Sequence, residues 1–376
     1  MSGEPGPRRA LARVDLGAVE RNCSRLLNAV DDGVALCAVV KADGYGHGAV
    51  QCAEAALAGG ASMLAVAAAD EARELRARFE DPPVLVMGAL AGDEIDVALD
   101  AGAEVAAWRP AHLRALAERA EAAGVRPRVH VKHDSGMGRL GERDPAAVEA
   151  LVRACAAEGR LELAGLWTHF ATADEADRGY LDEQLERFTP LVERLRTEHP
   201  SLVVHAANSA ATLRAPESHF DMVRCGIAIY GLDPFHRDPA AHGLEPALEL
   251  RSYVADVKRF ERGASAGYGR RWRAPTDTRV GVLPIGYGDG VRRALSNNAD
   301  VLVGGRRRPL VGTISMDNVT IELGRDSAVE PGESAILIGS QDGERILCEE
   351  VAERLGTINY EITCGISPRV PREYLR

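Results

Sequence analysis

The residues best suited to chemistry in this chain recur at the ends of apolar runs. Lys41 stands in VVKADGYGHG (Val39–Gly48), at the end of the run VALCAVV (Val34–Val40), with Tyr45 four residues on between Gly44 and Gly46. A lysine leaving a buried strand is partly desolvated, so its amine deprotonates more easily, and a neutral amine condenses with an aldehyde. Lys132 and Arg139 follow another run in HVKHDSGMGRLG, and His169 follows a third in WTHFA. Asn208 and Ser209 (HAANSAAT) offer a helix start with a hydroxyl and amide N–H groups, and Arg224 precedes Gly226 and Ile227 in VRCGIAIYG. Ser209 with the amides of Gly226 and Ile227 makes a neutral phosphate cradle of helix-end and backbone donors. Singly, each has a plain reading: Ser209 as an N-cap, Arg224 as a surface ion pair, His169 as a core histidine. Their shared placement argues for a ligand.

The elements that must position them alternate between strands and alanine-rich amphipathic helices. Strands are expected near Val34–Val40, Ser62–Val66, Val84–Met87, Glu104–Ala107, Arg128–Lys132, Leu163–Thr168, Leu202–Ala206 and Met222–Arg224. Helices lie between them at Ala49–Leu57, Asp70–Phe79, Pro110–Ala123, Pro145–Ala157 and Asp182–Glu198, several stopped by glycine. Eight βα units over this length suit a (β/α)₈ TIM-type barrel, whose chemistry sits at the carboxyl ends of its strands. An open doubly wound sheet has less support, because no G-x-G-x-x-G follows the first strand. After Gly231 the pattern changes: Leu232–Gly243 is a turn-rich linker, and short β-rich runs follow to the end. The expected organisation is a flexible tail over 1–12, a barrel over 13–240 and a mainly-β domain over 241–376.

A chain of 376 residues exceeds one small core. It is 46% hydrophobic and 27% charged with a mean hydropathy of −0.15, a globular composition. The formal net charge of −11 gives no electrostatic footprint for nucleic acid or an anionic membrane. Seven scattered cysteines, none in a C-x-x-C pair, fit a reducing compartment and no metal site. No apolar stretch is long enough to span a bilayer, and the Pro/Gly/Arg-rich start lacks a signal-peptide core, so a cytoplasmic location is expected.

A lysine nucleophile and a phosphate cradle on a barrel suggest pyridoxal 5'-phosphate. VVKADGYGHG, HVKHDSGMGRLG, WTHFATAD, NSAAT, VRCGIAIYG, AGYGR, GYGDG, GTISMDN and INYEI resemble the alanine racemase family in order and spacing, from about Arg13 to Arg376. The resemblance implies that Lys41 carries the cofactor as a Schiff base and is one catalytic base, with Tyr268 the other. It implies that Tyr45, Ser209, Gly226, Ile227 and Tyr360 hold the phosphate, with Asn208 beside Ser209 in the cofactor site. Arg224 would face the pyridine nitrogen, His169 would link Arg224 to Tyr268, and Arg139 would contact the cofactor's phenolic oxygen and the substrate carboxylate. The Met316 backbone would meet the substrate, and Tyr287 and Asp174 would line the entrance. Lys132 would be carbamylated, turning a cation into an anion that orients Arg139. Lys41 and Tyr268 would meet across a head-to-tail homodimer, leaving the monomer's site incomplete. Thr313 and Ser315 depart from the arginine and cysteine frequent in relatives, which bears on the entrance corridor.

Inverting an α-carbon requires a proton removed on one face and one returned on the other, hence two groups, each typically contributing about 10²–10⁴ in rate. A tyrosine ordinarily titrates near 10, so Tyr268 needs its phenolate stabilised, here expected from a cationic His169–Arg224 side. An arginine at the pyridine nitrogen is too weak an acid to protonate it, which limits side reactions such as transamination. The activity implied is interconversion of L- and D-alanine for peptidoglycan. Alternatives are a serine or broad-specificity racemase, a PLP-dependent amino-acid decarboxylase, which would want a carboxylate at the pyridine nitrogen, and a non-catalytic PLP-binding barrel, which would lack the domain carrying Tyr268.

Overall fold

The computed structural model describes residues 8–376 and divides into two compact units. One comprises Val19–Phe235 with His242–Leu244. The other comprises His236–Ala241, Glu245–Arg376 and the described chain up to Ala18.

The strand β1 (Leu11–Asp15) belongs to the second of these, pairing antiparallel with Leu248–Leu250 and Arg251, and parallel with Arg372–Leu375. The expected tail over 1–12 therefore does not hold for its described part; residues 1–7 lie outside the described residues. Arg9 lies bidentate on the buried Asp289, and the barrel unit begins at Val19 and not at residue 13. Nothing local announces β1, because its partners are more than 200 residues away in sequence.

The first unit is a closed parallel barrel of β2 (Ala35–Val39), β3 (Met63–Val66), β4 (Val84–Val86), β5 (Glu104–Ala107), β6 (Arg128–Lys132), β7 (Glu162–Trp167), β8 (Val203–His205) and β9 (Met222–Cys225), with β9 returning to β2. These strands are buried almost throughout, as a parallel sheet covered by helices must be. The eight expected strands are all present within one or two residues. The covering helices include Ala49–Ala58, Ala69–Arg76, Pro110–Ala123, Pro145–Ala157 and Gly179–Glu198. Two form with proline at their first position, and Asp144 caps the helix it precedes. Asp93–Asp100 is a further helix, short and half acidic, whose periodicity was too brief to read.

The second unit is mainly β. Its largest sheet joins β16 (Arg306–Pro309), β15 (Asp300–Val303), β18 (Ser334–Gln341), β10 (Leu248–Tyr253), β1 and β20 (Arg372–Leu375), with β19 (Glu344–Ile346) on β18. A second sheet joins β11 (Asp256–Phe260), β14 (Thr278–Leu283) and β17 (Val319–Glu322). The run Leu248–Val257 is thus two strands, broken where Val254 donates to Glu333, just before β18 of the first sheet, and Ala255 to Val282 of the second. A small hairpin of β12 (Ser265–Ala266) and β13 (Trp272–Arg273) carries Tyr268 in its turn.

Candidate active site

Lys41 follows β2 on a turn that L-residues rarely make. Ala42, Asp43, Gly44 and Tyr45 have φ of 54°, 53°, 59° and 54°. Three of them are not glycine, and each such visit costs on the order of 1–2 kcal/mol. The surroundings hold the turn in place. Gly48 N donates to Asp43 O, and the Asp43 carboxylate accepts from Ala49 N at 3.0 Å. Glu71 accepts from Ala42 N at 2.6 Å through one oxygen and from Ala67 N and Ala68 N through the other. A Cβ on Gly44 would lie 3.2 Å from Ala49 N, so glycine suits the turn for space as well as for φ.

Lys132, at the end of β6, is buried, with its Nζ 3.9 Å above the Trp167 ring. Burial, then Arg224 and Arg139, push its amine down to about 7; Lys41 adds to this and Asp134 opposes it. Arg224, on β9, is buried too and is not a surface ion pair. Its Nη2 donates to the carbonyls of Thr168 and Ala206, both at 2.9 Å, and to His169 Nδ1 at 3.2 Å; its Nη1 donates to His205 Nδ1 at 3.0 Å. Burial draws the guanidinium down to about 10. His169 lies well below its ordinary value, through burial first and then Arg224, Lys132, Arg139 and Lys41. On the expected cationic His169–Arg224 side the charge is therefore Arg224's: burial and the nearby cations favour a neutral His169, and because Nδ1 accepts from Arg224 the neutral ring carries its proton on Nε2.

Ser209 Oγ accepts from Gly226 N at 3.1 Å and Ala228 N at 3.3 Å, which brings the hydroxyl against the Gly226–Ala228 turn. Asn208 caps the helix Ser209–Arg214 through Ala211 N at 3.0 Å. The Tyr45 ring packs 5.2 Å from Tyr230, and its Oη lies 2.2 Å from where a Cβ on Gly226 would fall. Gly226 is there for space. Asp174 is exposed in the segment after β7.

Tyr268, Met316, Tyr287 and Tyr360 belong to the second unit. Tyr268 is 72% exposed and Met316 51%. Thr313 is buried, and its hydroxyl donates to Tyr268 O at 2.8 Å. Tyr287 N donates to Ser315 O and Gly288 N to Met316 O, so the Tyr268 turn, the Thr313–Met316 segment and the Tyr287 turn form one surface. Tyr360 lies on the helix Asn359–Cys364, its ring 6.5 Å from that of His236. Sequence reasoning missed His205, Trp167, Glu71 and the anchoring part of Thr313. His205 and Trp167 end their strands as Lys132 does, which was the available signal.

The chain matches the model of the alanine racemase N-terminal domain over residues 14–234 and that of the alanine racemase C-terminal domain over 247–374. It is 41% identical to alanine racemase 1 of Bacillus subtilis, covering 100% of this chain and 95% of that protein. It is also 41% identical to the alanine racemase of Frankia casuarinae, covering 98% and 96%. The solved alanine racemase of Streptomyces coelicolor superposes with a TM-score of 0.92 at 40% identity, covering 98% of each chain. This chain belongs to the alanine racemase family.

Proposed function

We propose that the protein interconverts L- and D-alanine with pyridoxal 5'-phosphate, as a cytoplasmic homodimer, and so supplies D-alanine for peptidoglycan. The observation that carries this is the pairing of the Ser209–Gly226–Ala228 convergence with a cluster of basic groups, of which Lys132 and Arg224 are buried, Lys41 is half-buried and Arg139 is exposed. Three of the four charged groups acting on Lys132 are Arg224, Arg139 and Lys41. Such a site fits a phosphorylated aldehyde and a substrate carboxylate, whose negative charge offsets the cations.

Lys41 would attach the cofactor, and Tyr45, Asn208, Ser209, Gly226, Ile227 and Tyr360 would hold its phosphate end. When bound, the cofactor supplies an electron sink for the pair left at the α-carbon. Lys41 takes or returns the α-proton on one face, and Tyr268 of the other protomer does so on the opposite face. Neutral His169 offers its Nε2–H to the Tyr268 oxygen, so the phenolate gains a donor polarised by Arg224 in place of a full cation. Arg139 orients the carboxylate, the Met316 backbone meets the substrate, and Tyr287 and Asp174 border the way in. The exposed Tyr268, Tyr287 and Met316 support the homodimer, since a contiguous apolar surface of this kind is what a partner covers. The Lys132 amine near 7 supports carbamylation: its neutral form adds to CO₂, forming the N–C bond and releasing one proton.

D-alanine formation from L-alanine, with added pyridoxal phosphate, tests the reading. Lys41→Ala abolishes it, and Tyr268→Phe lowers kcat by about 10²–10⁴. Lysine occurs only at Lys41, Lys132 and Lys258, so borohydride trapping followed by peptide mass assigns the attachment site directly. Full activity of Tyr268→Phe in both directions, or label on Lys258, overturns the assignment.

A further inference from the structure

Below Arg224 the barrel interior holds a polar chain that the reaction itself does not touch. Arg224 Nη1 lies 3.0 Å from His205 Nδ1, His205 Nε2 lies 2.9 Å from His130 Nδ1, and His130 Nε2 lies 2.6 Å from Glu104 Oε2. The other Glu104 oxygen meets Arg128 at 3.2 Å, at the starts of β5 and β6. The chain thus runs from the amino end of the barrel to the carboxyl end, on residues that are all buried apart from Arg128. Space is left for it: a Cβ on Gly165 would fall 2.2 Å from His130 Nδ1. His205 is further held flat against Trp167, the rings 5.7 Å apart and 7° from parallel.

The direction of every hydrogen bond in this chain follows from its two ends. A guanidinium only donates and a carboxylate only accepts. Arg224 donating to His205 Nδ1 puts the His205 proton on Nε2. That N–H donates to His130 Nδ1, which puts the His130 proton on Nε2, where Glu104 accepts it. A second proton on His130 would sit on Nδ1 and face the N–H of His205, or push that proton round to confront Arg224. The geometry points to Glu104 and His130 as positioning residues for Arg224: they lock His205 in the one tautomer that accepts from the guanidinium, and so fix the donors Arg224 turns to the reaction site. This rests on the racemase reading for its kinetic consequence, but the tautomers can be read without it.

The test uses the holoenzyme labelled with ¹⁵N-histidine, with His205 and His130 resonances assigned by His205→Asn and His130→Asn. Two-bond nitrogen–proton correlations are expected to show both rings protonated at Nε2 alone; a proton on Nδ1 of either ring, or two on His130, overturns the proposal. His130→Leu and His130→Asn then separate positioning from packing, since the side chains are nearly isosteric and the Asn oxygen can replace the acceptor at Nδ1. His130→Leu is expected to lower kcat for alanine on the order of tenfold with KM within about twofold, and His130→Asn to restore most of it. Equal activity of the two variants, whether full or impaired, overturns the positioning role. If His130→Leu does not fold, the wild-type tautomers and Glu104→Gln, which can turn its amide NH₂ toward His130 and reverse the chain, still decide it: unchanged kcat and tautomers in Glu104→Gln overturn the proposal. If the wild type forms no D-alanine the racemase reading fails, while the tautomers are still measured.

Discussion

Lys132 offers the sharpest test of the site's electrostatics. Its amine is pushed from an ordinary value near 10.4 to about 7 by burial and by Arg224, Arg139 and Lys41, against Asp134 alone. That difference corresponds to roughly 5 kcal/mol between the two protonation states, as an upper bound. The sign follows from proton counting. Between about pH 7 and 10.4 the unfolded chain holds a proton on this amine that the folded chain has released, so stability rises with pH through that window. The slope is at most about 1.4 kcal/mol per pH unit, and below pH 7 the whole penalty is present. Lys132→Met removes the group, so its stability should exceed wild type most at pH 6 and least near pH 10. With lysine only at three positions, protein labelled with ¹³C at the lysine ε-carbon shows few signals, and Lys132→Met identifies one of them. In carbonate-free buffer that signal should titrate about 3 units below an ordinary lysine. Added bicarbonate should bring a carbamate carbon and abolish the titration. A signal that titrates above about 9.5 without bicarbonate would refute the account, because the cations around Lys132 would then be neutralised by something other than deprotonation of its own amine.

Gly226→Ala drives a methyl to within 2.2 Å of Tyr45 Oη and should weaken pyridoxal phosphate binding at least about tenfold, read by fluorescence titration, at a stability cost of about 1–3 kcal/mol. Arg9→Ala leaves the fully buried Asp289 carboxylate to Arg369 at 3.6 Å and Gly286 N, and should cost roughly 2–4 kcal/mol in denaturant unfolding. Burial raises the Asp289 carboxyl, but Arg9 and Gly286 bring it below its ordinary value. The stability it contributes is therefore present above about pH 4 and lost in acid, and Arg9→Ala should flatten that acid limb. Thr313→Val removes the hydroxyl that holds Tyr268 O and should lower kcat about two- to tenfold while the unfolding midpoint stays in place.

The barrel was legible because its signals are local. Each strand is a short apolar run closed by a turn, and Lys41, Lys132, His169 and Ser209 lie at or just after strand ends. What escaped the sequence depends on pairing between distant segments or on conformations that residue type does not announce. The strand Leu11–Asp15 takes its identity from partners near Leu248 and Arg372, so its first two residues read as tail and the rest as the start of the barrel. The left-handed turn after Lys41 contains an alanine, an aspartate and a tyrosine, none of which advertises a positive φ; it is held by Glu71 from the next helix but one. The neutral form of His169 escaped for a related reason. Around it lie the basic groups Arg224, Lys132, Arg139 and Lys41, from three strand ends, and their joint field, added to burial, disfavours the imidazolium. Sequence placed these cations at strand ends but not their combined effect.

That field also bears on how an arginine can serve beside a ring nitrogen. Arg224 has five N–H groups. Its protein acceptors among the described residues are Thr168 O, Ala206 O, His169 Nδ1 and His205 Nδ1, engaged by Nη2 and by one hydrogen of Nη1. Nε–H and the second Nη1–H have no protein acceptor there and are the donors left for a ligand. Even drawn down to about 10, the guanidinium stays charged in all but about one molecule in a thousand at pH 7. It can therefore donate a hydrogen bond to a ring nitrogen without surrendering the proton, whereas a carboxylic acid in its place could transfer one. The burial that brings Arg224 close to its neighbours would, if it lowered the guanidinium by a further two or three units, erase this distinction. The carbonyls of Thr168 and Ala206 favour the charged form through their lone pairs, and the neutral imidazoles of His169 and His205 accept without adding positive charge. Under the proposed function, reaction specificity would thus depend on keeping two histidines uncharged next to an arginine that must not be.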